Sequence, residues 1–354
     1  MEWVRGARIG RGSWGTVNMA IPTSQGTRFP PSMAVKSCGS SQSAMLLHEK
    51  NVLEQLGDCP ALIQCFGGGL SFENGEMLSN LLLEYAAGGN LAEKIRSSGQ
   101  CLPELDVRRY TKSILSGLKF IHENGFVHCD LKLQNVLLCL NNGREDAKIA
   151  DFGLAKRAGE RREKVGLDLR GTPLYMSPEM VAAGEQEAPA DVWALGCLVV
   201  EMVTGEPAWK CSPENDVCRL LMRIAGEESP EIPQKLSEEG KDFLSKCFLK
   251  DPRKRWTAEM LLSHPFVAGD HVTSSPVNTC EATPSSSSPR APFDFPDWDS
   301  NSVTSCWESN AWSSRELSTG HVTSSVTSPD GRLRRLATEQ RPDWSDSDSW
   351  VRVR

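Results

Sequence analysis

Residues 128–135 read HCDLKLQN, which sets a carboxylate at Asp130, an ammonium at Lys132 and a carboxamide at Asn135. These three groups suit transfer of a charged group to an oxygen. A carboxylate can orient a hydroxyl and accept its proton as the oxygen attacks. The lysine can neutralise a migrating phosphoryl group, and the asparagine oxygen is a neutral ligand for magnesium. Sixteen residues beyond Asn135 comes DFG, where Asp151 is a hard carboxylate ligand for Mg²⁺ bridging phosphates and Phe152 is a packing residue.

Phosphate chemistry also requires a place to hold phosphate. Gly10 to Val17, GRGSWGTV, spells a glycine pattern between two predicted strands. Glycines let a hairpin approach phosphates closely and present backbone N–H groups to them. A dinucleotide-binding turn would run straight into a helix, whereas Val17 continues into a strand. Downstream, Lys36 of MAVK lies in a strand and Glu49, thirteen residues on, lies on a predicted helix. A buried lysine needs a carboxylate to hold it, and such a pair can position α- and β-phosphates. SPE at 177–179 and DVWALG at 191–196 follow in order.

The elements that must position these groups divide into two kinds. WVRGARIG, GTVNMAI and SMAVKSC are short, glycine-punctuated and partly alternating, as strands are, and LSNLLLEYA reads as a buried strand. Between them, SAMLLHEKNVLEQLG has helical spacing and stops at Gly57. Beyond residue 87 helices dominate: LDVRRYTKSILSGLKFIHENG, the run around Trp193, and EEGKDFLSKCFL. The pattern predicts a small β-rich lobe, a larger helical lobe and a ligand site in the cleft between them.

Composition narrows the class. The chain has 354 residues, 39% of them apolar, and a net charge of −7, which argues against a general nucleic-acid binder. Its twelve cysteines form no CxxC pair, and no secretory run opens the sequence, so reduced thiols in cytoplasm or nucleus are expected and zinc is not. The most apolar stretch, VWALGCLVVEMV from Val192, is too short to span a bilayer and contains Glu201, so it reads as a core helix rather than a membrane anchor. From residue 268 onward serine, proline and charge replace aliphatic periodicity, and disorder is the expectation for 268–354. That tail holds Trp298, Trp307, Trp312, Trp344 and Trp350, along with Ser-Pro or Thr-Pro steps at Ser275, Thr283, Ser288 and Ser328, all candidates for docking or regulatory sites. RLRR at 332–335 is a slight nuclear-import signal.

Residues 3–267 resemble the eukaryotic protein kinase family from end to end, through GRGSWGTV, MAVK, Glu49, HCDLKLQN, DFG, SPE and DVWALG. The resemblance implies an α+β, protein kinase-like fold with an N-lobe and hinge over 3–86 and a C-lobe over 87–267. It implies ATP bound by Ile9, Gly10, Gly12, Gly15, Val17, Ala34, Lys36, Leu83, Glu84, Ala86 and Leu137, with Leu83 as gatekeeper and Glu84 to Ala86 as the adenine-contacting hinge. Lys36 would pair with Glu49, Asp130 would be the catalytic aspartate with Lys132 beside it, and Asn135 and Asp151 would hold Mg²⁺, with Mn²⁺ as an alternative. Glu179 would pair with Arg255, Asp191 would buttress the catalytic loop, and His128 would pack against Leu53 and Phe152. Lys132 together with Gly171-Thr172 is the serine/threonine pattern, with Thr172 packing beside Asp130 and Lys132. GSWGTV, HCD and GTPLYMSPE are similar to the plant MEKK-like kinases, in particular short members with Ser-rich tails linked to abscisic acid and stress. That likeness implies MAP kinase kinases as substrates and regulators docking on the tail. A pseudokinase scaffold is the alternative, disfavoured by the intact polar set.

Two departures from the family pattern stand out. Leu133 replaces a residue that is often small, a minor change. Cys129 stands where the resemblance implies an arginine that pairs with activation-loop phosphate. Correspondingly, residues 151–171, DFGLAKRAGERREKVGLDLRG, contain no serine, threonine or tyrosine. Receptor and acceptor of phosphate are missing together, which implies a loop ordered by its own packing or by a partner. Lys156, Arg157, Arg161, Arg162, Lys164 and Arg170 make the same segment basic, either as a solvated face or as a docking surface for an acidic partner.

Overall fold

The computed structural model describes residues 2–12, 15–23, 29–99, 101–141, 143–160, 170–210 and 217–269. The expectations for the tail, and for Arg161, Arg162 and Lys164, lie outside the described residues. The N-terminal half-lobe is a five-stranded antiparallel sheet made of β1 (Trp3–Gly12), β2 (Gly15–Pro22), β3 (Met33–Gly39), β4 (Cys65–Glu73) and β5 (Glu76–Glu84), in the order β1-β2-β3-β5-β4. Helix α1 (Ser43–Leu56) packs between β3 and β4 in sequence.

Side chains alternate across a strand, so each face acquires its own layer. Trp3, Ala20, Met33, Val35 and Leu82 form a small outer core. Ala34, Leu81 and Leu83 join the main core on the other face, together with Leu46, Val52, Leu53 and Leu56 of α1. The buried stripe of α1 also includes Glu49, a charge on a face that spacing alone marks as apolar. The helix stops where expected: Gly57, at φ 71°, donates its N–H to Leu53 O. Glycine enters that left-handed region without a Cβ penalty.

The larger lobe is helical, with α2 (Leu91–Ser97), α3 (Glu104–Glu123), α4 (Pro178–Ala183), α5 (Ala188–Thr204), α6 (Val217–Ala225), α7 (Glu238–Cys247), α8 (Ala258–Leu262) and α9 (Pro265–Ala268). Two short ribbons join them: β6 (Phe126–Val127) with β9 (Lys156–Arg157), and β7 (Val136–Asn141) with β8 (Arg144–Ile149). The apolar run from Val192 lies in α5, buried on nearly every side from Ala190 to Met202, as befits a helix that is hydrophobic all round. Among the described residues no helix is long and apolar enough to cross a membrane, and the cysteines there are free thiols. Arg255 lies buried, its guanidinium 2.6 and 3.0 Å from the carboxylate of Glu179 and its Nη1 donating to Pro189 O, so the start of α4 is tied to the loop before α8.

One polar cluster reinforces the sheet. Arg5 on β1 reaches across the outer face to donate to Ser37 (2.8 Å), Asn80 (2.8 Å) and both oxygens of Glu73 (2.8 and 2.9 Å). The hydrogen bonds from Arg5, then that from Ser71, pull the Glu73 carboxyl from its ordinary 4.5 to about 2. A carboxyl lowered in the folded state stabilises fully above its unfolded value, and that contribution fades as pH falls through the folded value. The stability advantage of the native chain over Glu73→Gln is therefore expected to hold steady at neutral pH and to shrink between about pH 4.5 and about pH 2. Urea unfolding of both proteins along a pH series checks this; an advantage that does not change with pH through that window would refute it.

Candidate active site

Asp191, at the first turn of α5, shapes the loop that carries HCD. Its Oδ2 accepts from the His128 amide (2.9 Å) and its Oδ1 from the Cys129 amide (3.0 Å), while His122 Nε2 lies 2.9 Å from Oδ2. Burial works against the charge on Asp191, but the His122 hydrogen bond and the loop amide hold its carboxyl below the usual carboxylate range. Cys129 sits at φ 71°, a region that non-glycine residues seldom enter, and the two amide bonds to Asp191 hold the chain there. This turn carries Asp130 into the cleft. His128 is buried edge-on against Phe152, with ring centroids 5.0 Å apart. Its Nδ1 accepts from the Asp130 amide (3.3 Å) and its Nε2 faces Ala150 O (3.1 Å), so both ring nitrogens are engaged and the packing role expected for it holds. Leu53 lies in the main core with Phe152.

Asp130 and Lys132 meet around a hydroxyl. Thr172 Oγ1 donates to Asp130 Oδ1 at 2.8 Å and accepts from Lys132 Nζ at 3.2 Å, while Lys132 Nζ is 3.0 Å from Asp130 Oδ2. Thr172 therefore packs where the sequence reading put it. Asn135, on the short turn that follows, donates its amide to Asp130 O (2.8 Å) and more weakly to Asp130 Oδ2 (3.3 Å). With Nδ2 turned inward, its Oδ1 is the atom left for another ligand.

The second cluster joins the lobes. Lys36 on β3 is buried, with Nζ 2.7 Å from Glu49 Oε2 on α1 and 2.9 Å from Asp151 Oδ1. Burial disfavours the ammonium, but Glu49 and Asp151 outweigh it and hold the lysine above its ordinary pKa, so it is charged at every working pH. Asp151 adopts φ 63°, which turns its carboxylate toward Lys36. The sequence reading paired Lys36 with Glu49; the contact with Asp151 arises only from the fold. Two further contacts hold α1 to the segment after DFG: His48 Nε2 lies 2.7 Å from Ala155 O, and Arg157 Nη2 donates to Gln55 Oε1 at 2.5 Å.

Val17 and Ala34 on the sheet, and Leu137 on β7, all belong to or pack on the main core. Leu83 is the penultimate residue of β5, and Glu84, the last, is held by Lys148, whose Nζ is 2.8 Å from each carboxylate oxygen. The strap beyond Ala86 is fastened to β7: Gly88 N donates to Leu138 O and Leu138 N to Gly89 O, both at 2.9 Å. Ile9, Gly10 and Gly12 stand on β1, with Gly10 paired to Val17 and Gly12 to Gly15. Gly15 has φ 147°, and a Cβ there would meet Ser37 O at 2.1 Å. Its glycine identity thus follows from close approach to β3.

Among the described residues no three His, Cys, Asp or Glu side chains gather to hold a metal by themselves. Magnesium takes one or two carboxylates and completes its shell with phosphates and water. The Oδ1 of Asn135 and the Asp151 carboxylate, oxygen donors only, are a suitable set. Together the groups can hold a hydroxyl, bind phosphates and balance their charge. Lys148, Gln186 and Glu187, which complete the surroundings, were not singled out by the sequence reading, because nothing in their spacing marks ordinary surface-type residues as cleft partners. Asp191→Asn would keep the size of the Asp191 side chain but leave one loop amide without an acceptor, costing about 1–3 kcal/mol of stability. It is also expected to lower kcat by at least about tenfold while the KM for nucleotide changes little; urea unfolding and steady-state kinetics check both.

Comparison with known proteins accords with this geometry. The protein kinase domain family matches residues 3–267. Mitogen-activated protein kinase kinase kinase 20 of Arabidopsis thaliana is 48% identical over 362 residues, covering 100% of both chains. Mitogen-activated protein kinase kinase kinases 17 and 18 of the same plant are 41% and 38% identical, over 75% and 79% of this chain and 70% and 84% of their own. With a two-lobed fold, the polar cleft and a match of this extent, the chain belongs to the protein kinase family, as a serine/threonine kinase closely related to the plant MAP kinase kinase kinases.

Proposed function

We propose that this kinase transfers the γ-phosphoryl group of ATP to activation-loop serine or threonine residues of MAP kinase kinases, within a stress or abscisic-acid cascade of cytoplasm or nucleus. The observation that carries the chemistry is the Asp130–Lys132 pair closing on one hydroxyl, that of Thr172, with Asp130 accepting and Lys132 donating. A substrate hydroxyl held in the same way has its proton directed at the Asp130 carboxylate, and its oxygen keeps a second lone pair for attack. Lys132 then balances charge on the phosphoryl group in flight.

The remaining residues hold the nucleotide. Val17, Ala34 and Leu137 sandwich the base, and Leu83 and the Glu84–Ala86 backbone border its edge. Ile9, Gly10, Gly12 and Gly15 cover the sugar and phosphates, while Lys36, fixed by Glu49, meets the α- and β-phosphates. Magnesium held by Asn135 and Asp151, with manganese as an alternative, supplies charge neutralisation at the phosphates. Catalysis by this arrangement is positioning plus electrostatics, with no covalent intermediate on the protein.

MAP kinase kinases as substrates follow from the likeness to proteins named mitogen-activated protein kinase kinase kinases, one of them along the full chain. Phosphatase-treated full-length protein, labelled ATP and a panel of kinase-dead MAP kinase kinases test the proposal. Selective label on their activation-loop Ser/Thr is expected, reduced at least about a hundredfold by Asp130→Asn. Label on casein but on no MAP kinase kinase would overturn the tier; no label on either, from the treated and the untreated full-length protein alike, would overturn the assigned chemistry.

A further inference from the structure

The segment after DFG lacks any phosphorylatable residue as far as Gly171, and the loop that carries Asp130 has Cys129 where a phosphate-pairing arginine is implied. The two ends of the segment are nevertheless held, and by the same dipeptide. Glu187, the residue before α5, accepts from Lys156 Nζ on β9 at 2.7 Å and from the Gly159 amide at 3.1 and 3.2 Å to its two oxygens. Gln186 beside it donates from Nε2 to Cys129 O at 2.9 Å and, at longer range, to Arg170 O at 3.5 Å. One side chain is an anion facing a lysine and an amide; the other is a neutral donor facing two carbonyls. Each has the chemistry its partners need.

Lys156 also leads to the nucleotide side of the cleft. Ala155, immediately before it, presents its carbonyl to His48 of α1, and Arg157, immediately after it, donates to Gln55 of α1. Arg157 lies over Phe126 of the partner strand, 4.1 Å from its centroid. Glu49, on the same helix as His48 and Gln55, holds Lys36. β9 is thus fixed on one side to α1 and on the other to Glu187.

We propose that Gln186 and Glu187 are positioning residues that replace the phosphate and its arginine. Glu187 supplies a permanent anion for Lys156 and the Gly159 amide, and Gln186 ties the catalytic-loop carbonyl of Cys129 to the far end of the segment. A glutamate carries one charge and two acceptor oxygens where a phosphate would carry nearly two charges and three. It cannot be removed by a phosphatase, so the two ends of the segment are held without a modification cycle. Control of this kinase then falls to its abundance, its partners or its tail rather than to primary-loop phosphate. The inference rests on the serine/threonine kinase activity and not on the identity of the MAP kinase kinase substrate.

A double-mutant cycle on phosphatase-treated full-length protein tests it, with ATP and dephosphorylated casein as acceptor. Lys156→Met and Glu187→Gln each lower kcat by about three- to tenfold, the range of a partly exposed ion pair reinforced by amide bonds. The double variant is no worse than the weaker single, because the pair acts as a unit. Gln186→Glu, which cannot donate to the two carbonyls, lowers kcat similarly, whereas Gln186→Asn retains more activity. Thermal midpoints within a few degrees of wild type separate positioning from unfolding. Single variants with wild-type kcat, strictly multiplicative losses in the double variant, or wild-type protein silenced by phosphatase would each overturn the proposal. Failure of the MAP kinase kinase reading would appear instead as loss of that labelling with casein labelling intact.

Discussion

A buried ammonium is tolerated in a folded protein only when carboxylates surround it, and in this kinase Lys36 is such a group. Its two partners come from far apart in the chain, Glu49 on α1 and Asp151 after β8. Meeting both requires α1 to lie against the sheet and the DFG backbone to turn through a positive φ. Much of the architecture follows from that demand. The apolar stripe of α1 carries Glu49 inward with Leu46, Val52 and Leu53, so burial of the helix and neutralisation of the lysine are one event. The same contact joins the two lobes at the place where phosphate charge would be handled.

A second buried charge organises the other side of the cleft. Asp191 accepts the two amides that bend the loop at His128 and Cys129, and α5, buried on nearly every side, gives it a rigid origin. Electrostatic preorganisation of this kind leaves little to rearrange when a substrate arrives. The Glu179–Arg255 pair extends the rigidity to α4, so the segment that presents Thr172 ends against a fixed wall. Truncating one member of such a pair strands a buried charge, which is why its worth lies in where it holds α4 rather than in net stability.

Between these two centres runs a segment that family resemblance alone would assign to phosphate control. Here it is bounded by contacts of ordinary residues: Glu187 with Lys156 and Gly159, Gln186 with Cys129, His48 with Ala155. The exchange of arginine for cysteine is then part of a consistent set rather than a defect, since Cys129 contributes backbone groups at both its N–H and its carbonyl. What the loop needs from position 129 is a backbone that accepts φ 71°, and the side chain is secondary.

The amino-acid sequence by itself determined the elements and the reacting groups. Glycine patterning, strand alternation and the 3.6-residue stripes placed β1 to β3, α1, α3 and α5, and the offsets among Asp130, Lys132, Asn135 and Asp151 identified the polar set. Local periodicity and side-chain chemistry suffice for such readings, because both are encoded within a few neighbouring residues. Only tertiary structure decided which partners those groups have. That Asp151 touches Lys36, that Lys148 holds Glu84, that Gly15 abuts Ser37 O and that Glu187 faces Lys156 depend on contacts spanning from 22 to 115 positions. Such contacts are set by how helices and sheet pack as layers, and a glutamate that will clamp a loop looks, in sequence, like any other glutamate on a surface.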